Sequence, residues 1–374
     1  MSLPPSVPAL VRSARVIVCA GSGGVGKTTT ATALALAGAR EGRRVLALTV
    51  DPSRRLAQTL GVERSLPEPT PVPAEVSRSA GVADPSLLEA WMLDPGVVAD
   101  RFVHRFADSP EEARRLTQNR IYRQVSRMIA GMQEYAAMEA LYGFLREDRY
   151  DLVVLDTPPS RHALDFLQGP SRLASFFDGR IFQLFLPGEQ PGFVRRTASR
   201  VVHRVNTAIF GAEAYADLQE FFVAFTRIFL RLDQRASSGL EALSDPDEVA
   251  FVLVTSPASD AITDAAFFRR KCAELGLPFR GFVLNRSPAG DDARTMPPLD
   301  LFGEHPGPVE QSALGKLLEL AGIERANLDR HREILADLER QGGAGTFALP
   351  LPSLPEGAEA LSGLVTLADR LMRD

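Results

Sequence analysis

Four residues near the N-terminus have the types and spacing that a polyphosphate requires. Gly21, Gly26, Lys27 and Thr28 fit G-x-x-x-x-G-K-[ST] within "VCAGSGGVGKTTTA", residues 18–31. Glycines let backbone N–H groups approach phosphate oxygens with no Cβ in the way. A helix starting near Lys27 would aim its positive end at the same oxygens. Lys27 would add a point charge on the β- and γ-phosphates, and the Thr28 hydroxyl would bind Mg²⁺. The candidate cradle is therefore Gly21, Ser22, Gly23, Gly24, Val25, Gly26, Lys27, Thr28 and Thr29.

Two acids complete the chemistry. Asp156 closes "LVVLD" after four apolar residues, where a Walker B acid stands, and would hold Mg²⁺ through water. Asp51 closes "LTVD", where it would help hold the same Mg²⁺, partly through water, and orient or deprotonate an attacking water. Simpler readings stand beside these: an acidic N-cap for Asp156, and a turn-initiating Asp-Pro for Asp51.

These residues need a parallel sheet to bring them together. "ARVIVCA" (14–20), the glycine loop, a helix over 27–40 and "VLALTVD" (45–51) form a βαβ unit. Further strands are expected at 89–94, 151–156, 250–256, 281–286 and 346–351, mostly continuous apolar runs suited to burial on both faces. Helical blocks interrupt them, the first with Ser109 as N-cap and Pro110 at its first turn. Segments 66–75 and 288–308 read as Pro/Gly-rich loops. The expected fold is α/β, a doubly wound, mostly parallel sheet of the P-loop NTPase type. Its core would comprise 1–94, 148–162 and 245–374, with a helical insertion subdomain over 95–147 and 163–244.

The bulk composition narrows the partners. The chain has 374 residues, 45% of them hydrophobic, enough to bury a sizeable core. Its net charge of -5 argues against a general nucleic-acid binder. Lys27 is the only lysine before Lys271, so the phosphate loop holds the sole early ammonium. The first 16 residues lack a basic start followed by an apolar stretch, and no apolar run reaches the ~18 residues of a membrane span, which predicts a cytoplasmic chain.

Taken together, "GGVGKTT", "TVDPSRRLAQTLG" and "DTPPSRHALDFL" resemble the arsenite-efflux ATPases and the ATPases that deliver tail-anchored membrane proteins. "AGMQEYAAMEALYGF", "LVTSP", "FVLNR" and "LPLPSLPEG" are similar to family segments too, so the likeness spans nearly the whole chain. The resemblance implies ATP/ADP and Mg²⁺ as cofactors. It implies switch segments around Asp51 and from Asp156 to His162. It places Asn285 and Arg286 at the adenine, with the loop from Pro350 to Pro352 closing over the base. Independently, "NRSP" is not the N-K-x-D of guanine-specific enzymes. Members work as dimers or fused halves, with helical insertions that receive the client.

The chain departs from the family pattern twice. The family's signature lysine is Ser22 here, and a hydroxyl does not replace that charge at a γ-phosphoryl. Arg54 or Arg55 would substitute within one chain, or a lysine-bearing paralogue would do so across a heterodimer; otherwise turnover is slow and binding is the useful event. Second, there is no C-x-x-C to bridge a dimer through zinc. Cys19 and Cys272 fall in separate strand and helix patterns, so a thiolate site for a soft metalloid is not expected.

Met128, Met132 and Met138, with the apolar runs 182–188 and 221–230, read either as a groove for varied apolar helices or as ordinary helix packing. Arg196, Arg200 and Arg204 read as a solvated helix face or an acidic-surface contact, at most peripheral to a membrane. His162 would sense a switch or cap a turn. The expected function is a nucleotide-switched carrier for an apolar membrane-protein segment, as a homodimer or heterodimer. Two alternatives stand: the energising subunit of an anion or metalloid exporter, and a regulatory ATP-binding module with little turnover.

Overall fold

The computed structural model describes residues 6–49, 59–62, 68–93, 95–125, 140–141, 143–144, 148–157, 211, 217–218, 220–221, 242–291, 297–298, 300–303, 307–354 and 361–373. The apolar runs become β1 (Val16–Ala20), β2 (Val45–Thr49), β3 (Thr70–Pro71), β4 (Leu88–Met92), β5 (Leu152–Asp156), β6 (Val249–Thr255), β7 (Phe279–Asn285) and β8 (Phe347–Leu351). They join one eight-stranded sheet in the order β3-β4-β2-β5-β1-β6-β7-β8. Every pairing is parallel except β3 with β4.

Successive side chains along a strand point to opposite faces, and the two faces form two separate cores. Val16, Val18 and Ala20 of β1 join one, with Trp91, Phe251 and Phe282. Ile17 and Cys19 join the other, with Leu36, Val252 and Leu367. Nearly continuous apolar strands are thus explained: both faces are covered, as in a doubly wound fold.

The second face carries α1 (Val7–Ser13), α2 (Lys27–Arg40), α3 (Ala74–Ser79) and α9 (Leu361–Leu371), the last four residues of α2's alanine-rich stretch being fully covered. Small residues let α2 lie close to the sheet. A Cβ at Gly38 would come within 2.7 Å of Leu152 Cδ2. The first face carries α4 (Pro95–Phe106), α5 (Pro110–Gln118), α6 (Arg120–Val125), α7 (Ser259–Glu274) and α8 (Pro308–Gly342). At the start of α5, Ser109 Oγ accepts from the Glu112 N–H at 3.1 Å with Pro110 at the first position, the cap read from the sequence. Buried Ala99, Val103, Leu116 and Tyr122 from these helices share the sheet's first core.

One element corrects the sequence reading, and a second lies where the sequence suggested no element. Segment 66–75 is not a plain loop. Thr70–Pro71 pairs antiparallel with β4 at the sheet edge, and α3 starts at Ala74. Proline is tolerated there because an edge strand needs only one hydrogen-bonding side. Helix α8 is the second: Gly315 and Gly322 interrupt its pattern, yet it runs 35 residues. Its C-terminal half packs through Leu328, His331 and Leu338, while Val309, Leu320 and Ile323 in the other half are 82%, 59% and 60% exposed. Asp51, Arg54, Arg55, the three methionines, His162 and the arginines at 196, 200 and 204 lie outside the described residues, as does 182–188; of 221–230 only Phe221 is described, and it is buried.

His331 yields a pH prediction. It is buried, and its Nδ1 has no hydrogen-bond partner. Burial, and secondarily the Arg330 charge, hold its pKa below the usual 6.5. Between the folded pKa and 6.5 the unfolded chain binds the extra proton, so this group's contribution to stability rises with pH through that window and is constant above it. In thermal melts at pH 5.5 and 7.5, His331→Gln should narrow the gap seen in the wild type. An unchanged gap would remove His331 from the pH dependence.

Candidate functional site

The parallel strands all present their carboxyl ends at one edge, where such sheets bind ligands. β1 delivers the glycine loop there, β5 delivers Asp156, and β2 delivers Thr49 beside it. Thr49 and Asp156 are direct partners in the ladder, and Cys19 pairs with Asp156 on the other side.

The loop is shaped by glycine at two points. Gly21 has φ 153°, and a Cβ there would collide with the Val254 carbonyl oxygen; Gly26 has φ 96°, and a Cβ there would collide with the Asn285 amide. Backbone on one side and a buried side chain on the other leave no room for any other residue. Asn285 Nδ2 donates to the Val25 carbonyl at 2.8 Å, so the end of β7 holds the loop in place. Gly26 in turn caps α2, whose first N–H groups face the loop.

Lys27 is buried, and its Nζ donates to the Ser22 carbonyl at 2.8 Å, across the mouth of the loop. One residue on, the Thr28 hydroxyl donates to Asp156 Oδ2 at 2.7 Å. The Thr49 hydroxyl donates to the same oxygen at 2.9 Å. Asp156 is fully buried, and Thr49 nearly so. Thr157 continues the strand edge by donating to the Cys19 carbonyl at 2.9 Å. A hydroxyl and a carboxylate in contact under a glycine loop form an all-oxygen, hard donor set that fits Mg²⁺ rather than a soft ion. The cradle that a Cβ would fill, with Lys27 behind it, fits a phosphate chain.

Burial pushes the Cys19 thiol up, the Asp156 charge adds to this and Lys27 opposes it. Burial also pushes the Cys272 thiol up, to about 12. Cys19 lies in the core on one face of the sheet and Cys272 in the core on the other, so the two cannot share a metalloid.

Of the residues read from the sequence, the structure gathers Gly21 to Thr29 with Asp156, and Asn285 joins them through Val25. Pro350 lies on β8 opposite Leu284, with Pro352 just beyond, which brings the Pro350–Pro352 segment beside Asn285. Arg286 has φ 57°, a left-handed conformation that costs roughly 1–3 kcal/mol in a residue with a side chain and clusters at functional sites. It lines a cavity of about 450 Å³ with the loop residues Ser22 to Val25 and with Asp260 and Asp264 at the start of α7. Sequence reasoning missed Thr49, Thr157 and this acidic wall. For Thr49 the available signal was a hydroxyl residue ending the strand before Asp51. Among the described residues, no helix is long and apolar enough to cross a membrane.

Comparison with known proteins agrees with this geometry. Residues 14–293 match the family model described as Anion-transporting ATPase. The arsenical pump-driving ATPase of Escherichia coli is 25% identical over 314 residues, 81% of this chain and 44% of that protein. The arsenical pump-driving ATPase of Acidiphilium multivorum is 25% identical over 273 residues, 71% of this chain and 38% of its own length. The ATPase ASNA1 homolog of Leishmania infantum is 32% identical over 184 residues, 43% of this chain and 45% of that protein. The chain therefore spans less than half the length of these curated relatives. A family model that covers most of the chain, on a fold with the matching loop and strand-end acid, decides the assignment: the chain belongs to the anion-transporting ATPase family.

Proposed function

We propose that the chain binds ATP with Mg²⁺ and hydrolyses it, and that it works as a dimeric switch in the cytoplasm. The observation that carries this reading is the contact of Thr28 with Asp156 beneath the loop that Lys27 closes. Lys27 exchanges the Ser22 carbonyl for phosphate oxygens, a short move for a flexible ammonium. Thr28, Asp51 and Asp156 would hold the metal, partly through water, and Mg²⁺ so held would supply positive charge against the phosphates. Asp51 orients or deprotonates the water. Asn285, Arg286 and the Pro350–Pro352 segment surround the base.

The division into a core and a helical insertion subdomain, 95–147 with 163–244, belongs to the same proposal. The nucleotide cycle reshapes that region, which takes an apolar membrane-protein segment. Ser22 leaves each site one cation short, so the partner is a second copy, with Arg54 or Arg55 supplying the cation within each chain, or a lysine-bearing paralogue that supplies it across the interface. A second reading, the energising subunit of an anion exporter, is favoured by the names of two of the relatives. The placement of Cys19 and Cys272 on opposite faces speaks against arsenite as a thiolate-bound ligand of those two residues.

Steady-state phosphate release tests this. The chain alone is expected to turn over slowly, and Ser22→Lys or a lysine-bearing paralogue to raise the rate by at least about tenfold, given the ~10³–10⁵ that a cation in trans can supply. An unchanged rate in both arms would mean that the missing lysine is not limiting. Stimulation by an oxyanion and not by apolar client peptides would favour the exporter.

A further inference from the structure

Among the described residues the Thr28 and Thr49 hydroxyls both donate to Asp156, and metal binding engages only Thr28. We infer that Thr49 is a positioning residue. It holds the Asp156 carboxylate in the orientation that meets Thr28. The inference rests on the Mg·ATP reading.

Three observations carry it. Thr49 and Asp156 stand directly opposite each other at the ends of two adjacent parallel strands. Both the Thr49 and Thr28 hydroxyls donate to one oxygen, Oδ2, at 2.9 and 2.7 Å. Both Thr49 and Asp156 are excluded from water. A buried carboxylate turns readily about its last side-chain torsion, which is broad and roughly two-fold. Two donors converging on one oxygen from β2 and α2 fix that torsion. The position of Oδ2 relative to Thr28 is then set by β2, and any shift at the end of β2 is transmitted to the carboxylate.

A purely structural Thr49 would stabilise the fold and do nothing specific to the metal. The experiment separates the two. Binding of a fluorescent ATP analogue is followed in EDTA and across a MgCl₂ titration, for wild type, Thr49→Val and Thr49→Ser. Removing a hydrogen bond to a charged group should raise the half-saturating Mg²⁺ concentration of Thr49→Val by about tenfold or more, with binding in EDTA changed by less than about twofold. Thr49→Ser, which keeps the hydroxyl, should restore the metal response to within about threefold. Thr49→Cys, with a weak S–H donor, should give an intermediate rise and carries the test if the valine variant does not fold. An unchanged Mg²⁺ midpoint in Thr49→Val, or an equal loss with and without Mg²⁺ that serine does not rescue, overturns the inference. A wild type blind to nucleotide in both buffers would instead remove the Mg·ATP reading, and this inference with it.

Discussion

Lys27→Ala should weaken Mg·ATP binding by about 100-fold or more while leaving the fold standing, because a phosphate chain in the glycine loop loses its only ammonium there. The magnitude follows from the setting. Lys27 is buried at the start of α2, and its ammonium already spans the loop to the Ser22 carbonyl. In water a point charge against phosphate is screened, and the buried Lys27 ammonium is screened less. The charge-assisted hydrogen bond to the Ser22 carbonyl that the empty protein loses costs on the order of 1–3 kcal/mol, less than the stability of a typical domain. Isothermal titration of the variant with Mg·ATP, beside a thermal melt, reads both effects. Retained affinity would mean that the loop's N–H groups suffice and that Lys27 serves only to close the loop.

Asp156→Asn should lower ATP turnover by about 10³-fold and still leave the fold as stable as the wild type or more so. The carboxylate is fully buried, with the Thr28 and Thr49 hydroxyls pointing at one oxygen. Removing a buried charge relieves a desolvation cost, and the amide keeps the shape and an acceptor oxygen for both hydroxyls. What disappears is the negative charge that a divalent cation needs. Activity should therefore fall as stability holds, the opposite of what a core substitution does. Phosphate release and a denaturant melt on the same preparation decide it. A parallel fall in both would make Asp156 a structural residue, as the N-cap reading of its sequence has it.

How much of this was readable in advance depends on the range of the interactions. The loop from Gly21 to Thr29 and its helix are local, and Lys27–Arg40 is helical over the span the sequence implies. The strands are bounded apolar runs and fall within one or two residues of expectation; β5, for example, is Leu152–Asp156. Thr49 was legible only as a hydroxyl residue at a strand end, because its role depends on β2 lying beside β5 in one register, more than 100 residues away. The bond from Asn285 to the Val25 carbonyl is equally non-local, and the resemblance gave that side chain only to the base. Helix α8 was hidden by its glycines, since packing of Leu328, His331 and Leu338 outweighs local propensity. The antiparallel edge strand was hidden by its proline.

The account rests on one event, the joint capture of a triphosphate and Mg²⁺ at the carboxyl edge of the sheet. Calorimetric titration of the wild-type chain with ATP, once with Mg²⁺ and once with EDTA, measures it most directly. The expected result is saturable binding of one nucleotide per chain in the micromolar range, at least about tenfold tighter with the metal than without. Equal affinity in both buffers would contradict the roles given to Thr28 and Asp156, and no heat of binding in either would contradict the site itself.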